Sequence, residues 1–160
     1  MNRRQFVHTT VAVPLVAATA GRNSHAREQA MTDHLVHVTT LIKAWRRKDV
    51  PAVLASVTDD INWHTHVGSP PVVGKEAMQK MLDVLAVQMS DVRWRIFDWA
   101  QRGDRIYLEG VDDFRSPEGR RVVLPYAGVL VFRGNLISEW RDYFDRNVFN
   151  QIKAGEALPD

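Results

Sequence analysis

Two aspartates in the C-terminal half of the chain stand where strand alternation can bring them together. The segment from Leu136 to Phe144 reads as a strand. On it Trp140, Asp142 and Phe144 point to one face, and Glu139, Arg141 and Tyr143 to the other. On the strand from Arg105 to Phe114, Leu108, Gly110, Asp112 and Phe114 share a face in the same way. If both faces line one concave surface, two carboxyls enter an apolar pocket. Burial there raises a carboxyl's pKa, and a pair pushed apart in pKa supplies one acid and one base. Aspartates merely solvated near strand ends would produce the same pattern.

Other reactive residue types are sparser. In Trp63-His64-Thr65-His66 the two histidines share a strand face and could ligate a metal, but no third ligand follows at a matching spacing. A solvent-facing pair and no metal are expected. His34 and His37 are placed near the surface of the first helix. Of the five tryptophans, most are assigned to the core and one or two to the cavity. The chain has no cysteine, which excludes disulfides, a thiolate nucleophile and thiolate metal sites. No glycine-rich phosphate loop is present, and no cofactor is expected. Arg93 and Arg95 do not amount to a nucleic-acid patch.

The elements that must position the aspartates follow from periodicity. Leu35, Val38, Ile42 and Trp45 mark an amphipathic helix from about Gln29 to Lys48. Asp49 caps a short helix through Ser56, with Pro51 in its first turn. A strand from Ile61 to Val67 is broken by Gly68-Ser69-Pro70-Pro71, and a helix follows from Lys75 to Gln88. From Ser90 on, four strands are predicted: Val92–Ala100, Arg105–Phe114, Val122–Phe132 and Leu136–Phe144. The class is α+β, with three helices on one face of an antiparallel sheet. Gly110 and Gly128 let that sheet curl, and a curled sheet closed by helices encloses an apolar pocket.

The 160 residues suffice for one domain, and 45% hydrophobic with 25% charged residues excludes wholesale disorder. No apolar run reaches the roughly 18 residues of a membrane-spanning helix. Residues 1–26 contain Arg3, Arg4 and Arg22 and no acid, so without them the net charge changes from +2 to −1. The basicity therefore belongs to the N-terminus. That segment reads as a signal peptide, with an apolar stretch from Phe6 to Ala20 and small-residue cleavage sites after Ala20 or Ala26. Arg3-Arg4-Gln5-Phe6 resembles the twin-arginine export motif. The expectation is a periplasmic or secreted bacterial protein, off the membrane after cleavage, with one domain over 27–160.

The run Glu109-Gly110-Val111-Asp112, followed by Gly134 through Trp140-Arg141-Asp142-Tyr143-Phe144-Asp145, resembles the limonene-1,2-epoxide hydrolase family. That family lies within the SnoaL-like, nuclear-transport-factor-2-like superfamily, and the likeness covers roughly residues 30–150. It implies a cone-shaped fold with a strongly curved sheet, and hydrolysis of epoxides by an Asp-Arg-Asp set without metal or covalent intermediate. By position the base would be Asp142 and the acid Asp112. The arginine position holds Gly110; the family's water-holding tyrosine and asparagine fall on Trp63 and Thr65. Two carboxyls without an intervening cation would share one proton, and the bare position would leave room for a bulkier substrate.

The first functional reading is therefore an enzyme that opens an epoxide of an apolar small molecule. Asp142 would deprotonate water and Asp112 protonate the oxygen; Thr65 and Tyr126 would orient the water, and Trp63, Trp140, Phe144 and Gly110 would border the substrate. An isomerase or cyclase with Asp142 as base is the alternative. A non-catalytic binding or dimerisation module is the third. A homodimer is the expected assembly, and no nucleic acid is expected as partner.

Overall fold

The computed structural model describes residues 34–155. The export signal read over 1–26 and the start of the first helix lie outside them. Helix α1 (34–46) buries Val38, Leu41, Ile42 and Trp45 on its inner stripe. It ends in a turn where Lys48 N donates to Trp45 O at 2.9 Å. Asp49 then caps α2 (Val50–Ala55), its carboxylate accepting from Ala52 N at 3.1 Å, with proline in the first turn as predicted. Strand β1 (Val57–His64) and the short β2 (Val72–Val73) precede α3 (Lys75–Gln88), whose Met78 and Leu82 are buried. Strands β3 (Arg95–Arg102), β4 (Arg105–Arg115), β5 (Arg121–Arg133) and β6 (Leu136–Tyr143) follow, and α4 (Arg146–Ala154) comes last.

The six strands form one open sheet in the order β2-β1-β6-β5-β4-β3. The four C-terminal strands pair as hairpins, as their turn residues predict, but β1 lies parallel to β6. The sheet is mixed rather than antiparallel. No short turn joins β1 to β6, so hairpin signals could not reveal the direction of that pairing. Two elements went unread. Two-residue β2 sits in a proline-rich loop, and α4 is short, although Asp145 caps it and Gly155 ends it in the left-handed conformation at φ 78°.

The core lies between the helices and one face of this sheet. Cross-strand register places Gly110 opposite Tyr126, Gly128 opposite Asp142, and Leu130 opposite Trp140, which itself pairs with Trp63 of β1. His34 is part of that core. It stacks on Phe132 with centroids 4.0 Å apart and bonds to Gln101 at 2.7 Å, which corrects its assignment to the surface. No helix among the described residues is long and apolar enough to cross a membrane.

Candidate active site

Asp142 stands opposite Gly128 across the β5–β6 pair, where a Cβ would lie in ordinary contact with Asp142 Oδ1, at 3.5 Å, and more tightly against the Tyr126 ring, at 3.3 Å. Trp140, two residues earlier on the same face, donates its indole N–H to Asp142 Oδ1 at 2.9 Å. Burial pushes the Asp142 carboxyl up to about 7. The N–H groups of Trp140 and Trp63 pull against that shift, and the charge of Asp112 adds to it. Asp112, on β4, is pushed up to about 6, again mainly by burial. Lys48 opposes that rise and Asp113 adds to it. Among the described residues Asp112 Oδ1 has no hydrogen-bond partner.

Tyr126 lies between the two glycines. Its ring would meet a Cβ at Gly110 at 3.0 Å and one at Gly128 at 3.3 Å. The Trp94 indole N–H donates to its hydroxyl. Burial, and to a lesser extent the two carboxylates, push the phenol well above its ordinary pKa, so it stays protonated. Having accepted from Trp94, the hydroxyl can still donate its own proton to a second acceptor.

Around these groups the walls are aromatic. Trp63 and Trp140 lie 5.3 Å apart, Trp140 stacks on Trp94 at 5.6 Å, and Trp94 meets Tyr126 edge-on at 5.8 Å. The cavity they line, open to solvent on one side, has a volume of about 520 Å³, within the range of small-molecule sites. Asp112, Asp142, Tyr126, Trp63, Thr65, Trp140 and Phe144 all border it. Gly110 does not. A Cβ there would run into the Arg95 carbonyl oxygen, and the Tyr126 ring covers the rest. The room expected at the arginine position is therefore already filled.

Sequence reading missed several lining residues. Phe149 of α4 meets Phe144 with centroids 5.8 Å apart, closing the wall beyond the end of β6. His66 was expected to face solvent beside His64. Instead β1 ends at His64 and the chain bends, so strand alternation no longer applies. His66 borders the cavity, edge-on to Phe144, with its Nε2 3.2 Å from the Phe144 carbonyl oxygen. Among the described residues no group of three or more histidines and acids could hold a metal ion.

The fold has many solved relatives. An NTF2-like protein of unknown function from Burkholderia pseudomallei K96243 is 20% identical; it matches with a TM-score of 0.66 over 76% of this chain and 95% of its own. An LEH-like epoxide hydrolase from M. tuberculosis is 23% identical, also with a TM-score of 0.66, over 76% of this chain and 89% of its own. A hypothetical protein with a ketosteroid isomerase-like fold from Catenulispora acidiphila DSM 44928 is 20% identical, with a TM-score of 0.67 over 77% and 97%. Likenesses at this identity show the fold alone. The family model of the SnoaL-like domain, however, matches residues 38–140, from within α1 to Trp140 of β6; Asp112 lies inside the match and Asp142 two residues beyond its end. The chain belongs to the SnoaL-like domain family.

Proposed function

We propose that the protein is an acid–base enzyme that moves a proton on an apolar cyclic small molecule, with Asp142 as the base. One observation carries this reading: two half-buried aspartates, Asp112 and Asp142, border the same aromatic-walled cavity, both with raised pKa. Such a pair holds one proton near neutral pH. Of its two one-proton forms, the one with Asp142 ionised and Asp112 protonated has base and acid in place together; the lower pKa of Asp112 makes it the less populated form. Asp142 takes a proton from a carbon next to a substrate carbonyl, and the C–H electron pair moves into the ring toward the carbonyl oxygen. The Tyr126 hydroxyl and the Asp112 carboxylic acid are the donors available to that oxygen. Return of the proton from Asp142 to another carbon completes an isomerisation, and the base is regenerated. A base with a pKa near the working pH suits both halves of the cycle.

Water-driven opening of an epoxide is the second reading. The Thr65 hydroxyl in the cavity and the resemblance of the Trp140–Asp145 run favour it. Asp142 would then deprotonate water while Asp112 protonates the epoxide oxygen. The first reading ranks higher because Tyr126 stands over the position of the arginine. In addition, Trp63, at the position of the water-holding tyrosine, has only an N–H to offer.

The purified chain, assayed with enolisable cyclic ketones in D₂O and with apolar epoxides, separates the readings. Asp142-dependent deuterium incorporation or double-bond migration is the expected result. Diol formation without exchange would replace the first reading by the second. Saturable binding of such compounds without turnover, and unaffected by Asp142→Asn, would overturn both in favour of a binding module.

A further inference from the structure

The cavity carries its charges at two levels. Asp112 and Asp142 are half-buried, whereas the exposed residues that border it, Gln88, Pro117, Glu118 and Arg146, mark the side open to solvent. Arg146 is the single cation among the described residues of that lining. Its guanidinium meets no carboxylate among the described residues. Nη1 donates to Ser69 Oγ at 3.4 Å, and the neighbouring Asp145 is engaged in capping α4. Ser69 belongs to the 65–71 loop, which is fastened to the end of β6. There Val67 N donates to the Asp142 backbone oxygen at 2.9 Å, and His66 Nε2 lies 3.2 Å from that of Phe144. Arg146 thus sits beside a loop anchored on the strand of the base. Four residues separate it from Asp142, a backbone span of at most about 14 Å.

We propose that Arg146 binds a carboxylate of the substrate, so that the molecule taken is a carboxylated fused-ring ketone rather than a wholly apolar one. The inference names the substrate class of the acid–base reading and rests on that reading. A guanidinium offers a planar fork of N–H donors that a carboxylate meets with two parallel bonds. The interior is hostile to that group. Its walls are aromatic, and a third carboxylate beside Asp112 and Asp142 would lose its hydration and meet like charge. Glu118, on the turn after β4, accepts from Ser116 Oγ at 2.7 Å and repels an anion from its part of the opening. The anion is left to Arg146, and the rings enter first, toward Trp63, Trp94 and Trp140. Charge thereby fixes which end of the molecule reaches Asp142.

Calorimetric titration of the full chain with a carboxylated tetralone and with its methyl ester tests this, alongside deuterium exchange of both compounds in D₂O. Wild type is expected to bind the carboxylate at least about tenfold more tightly than the ester, the size expected of a charge-assisted pair. That margin should shrink as salt rises, because the guanidinium is exposed. Arg146→Gln is expected to erase the margin, and Arg146→Lys, which keeps the charge but not the fork, to keep part of it. The cap of α4 is Asp145, so both variants should melt with wild type. Equal affinity for the two probes in wild type, binding of neither, or a margin that survives Arg146→Gln overturns the proposal. An Arg146-dependent margin without Asp142-dependent exchange keeps the anchor and removes the acid–base function. Asp142-dependent exchange of the ester without any margin does the reverse.

Discussion

Trp140 and Asp142, two residues apart on β6, are joined by a hydrogen bond of 2.9 Å from the indole N–H to the carboxyl oxygen Oδ1. Both side chains leave the same face of the strand, so the indole both walls the cavity and stabilises the carboxylate inside it. Burial alone would favour a permanently protonated acid. The donor from Trp140 pulls against that rise.

Replacing Asp142 by asparagine removes the base while leaving an oxygen to accept from Trp140. Steady-state turnover should fall by about 10²–10⁴-fold, the usual worth of a general acid or base. Asp145→Asn is the control. Asp145 caps α4 through Asn147 N at 2.8 Å and Val148 N at 3.2 Å, and asparagine caps equally well. Its activity should match wild type.

The same Asp142→Asn change should stabilise the fold at alkaline pH. A carboxyl whose pKa rises from 3.8 unfolded to about 7 folded favours the native state fully below the unfolded value. That contribution is lost as pH rises through about 7, as the native state must either ionise a buried group or keep a proton that the unfolded chain has already given up. Thermal melts at pH 5 and pH 8 should show wild type losing on the order of 2–4 kcal/mol relative to the variant. An equal loss in both proteins would mean that Asp142 is solvated.

Tyr126→Phe deletes the acceptor of the Trp94 indole N–H and a neutral O–H donor that borders the same cavity as the two carboxyls. The buried N–H left unpaired should cost about 1–3 kcal/mol in denaturant unfolding. Turnover should drop through kcat more than through KM, because the lost donor acts on developing charge.

Gly110→Ala should be poorly tolerated. Its Cβ meets a backbone carbonyl, that of Arg95, which has no rotamer by which to retreat. A loss of at least 1–3 kcal/mol is expected, as for other overpacked sites, and Gly110→Arg should accumulate as insoluble protein rather than gain epoxide-opening activity. A soluble Gly110→Arg protein with wild-type melting would show that strands β3 and β4 part more easily than their pairing implies.

We propose export through the Arg3-Arg4 segment, on residue types alone. N-terminal mass determination on protein recovered outside the cytoplasm should find a chain beginning near Gly21 or Arg27. Intact Met1 or Asn2 on exported material would refute the cleavage.

Local chemistry was legible wherever neighbours in sequence decide the outcome. Asp49 and Pro51 announced α2, the apolar spacing of Met78 and Leu82 marked α3, and alternation grouped Asp142 with Trp140 and Phe144, and Asp112 with Leu108 and Phe114, while leaving open whether those faces turn inward. These follow from capping, a 3.6-residue period and a two-residue period, all set within one element. What stood opposite each side chain was not legible. The parallel pairing of β1 with β6, the Tyr126 ring over Gly110 and the stacking of Trp94 on Trp140 all join residues distant in sequence. Alternation names the face a residue occupies, but only the packed sheet and helices bring distant charges and rings close enough, in a low dielectric, to set one another's ionisation.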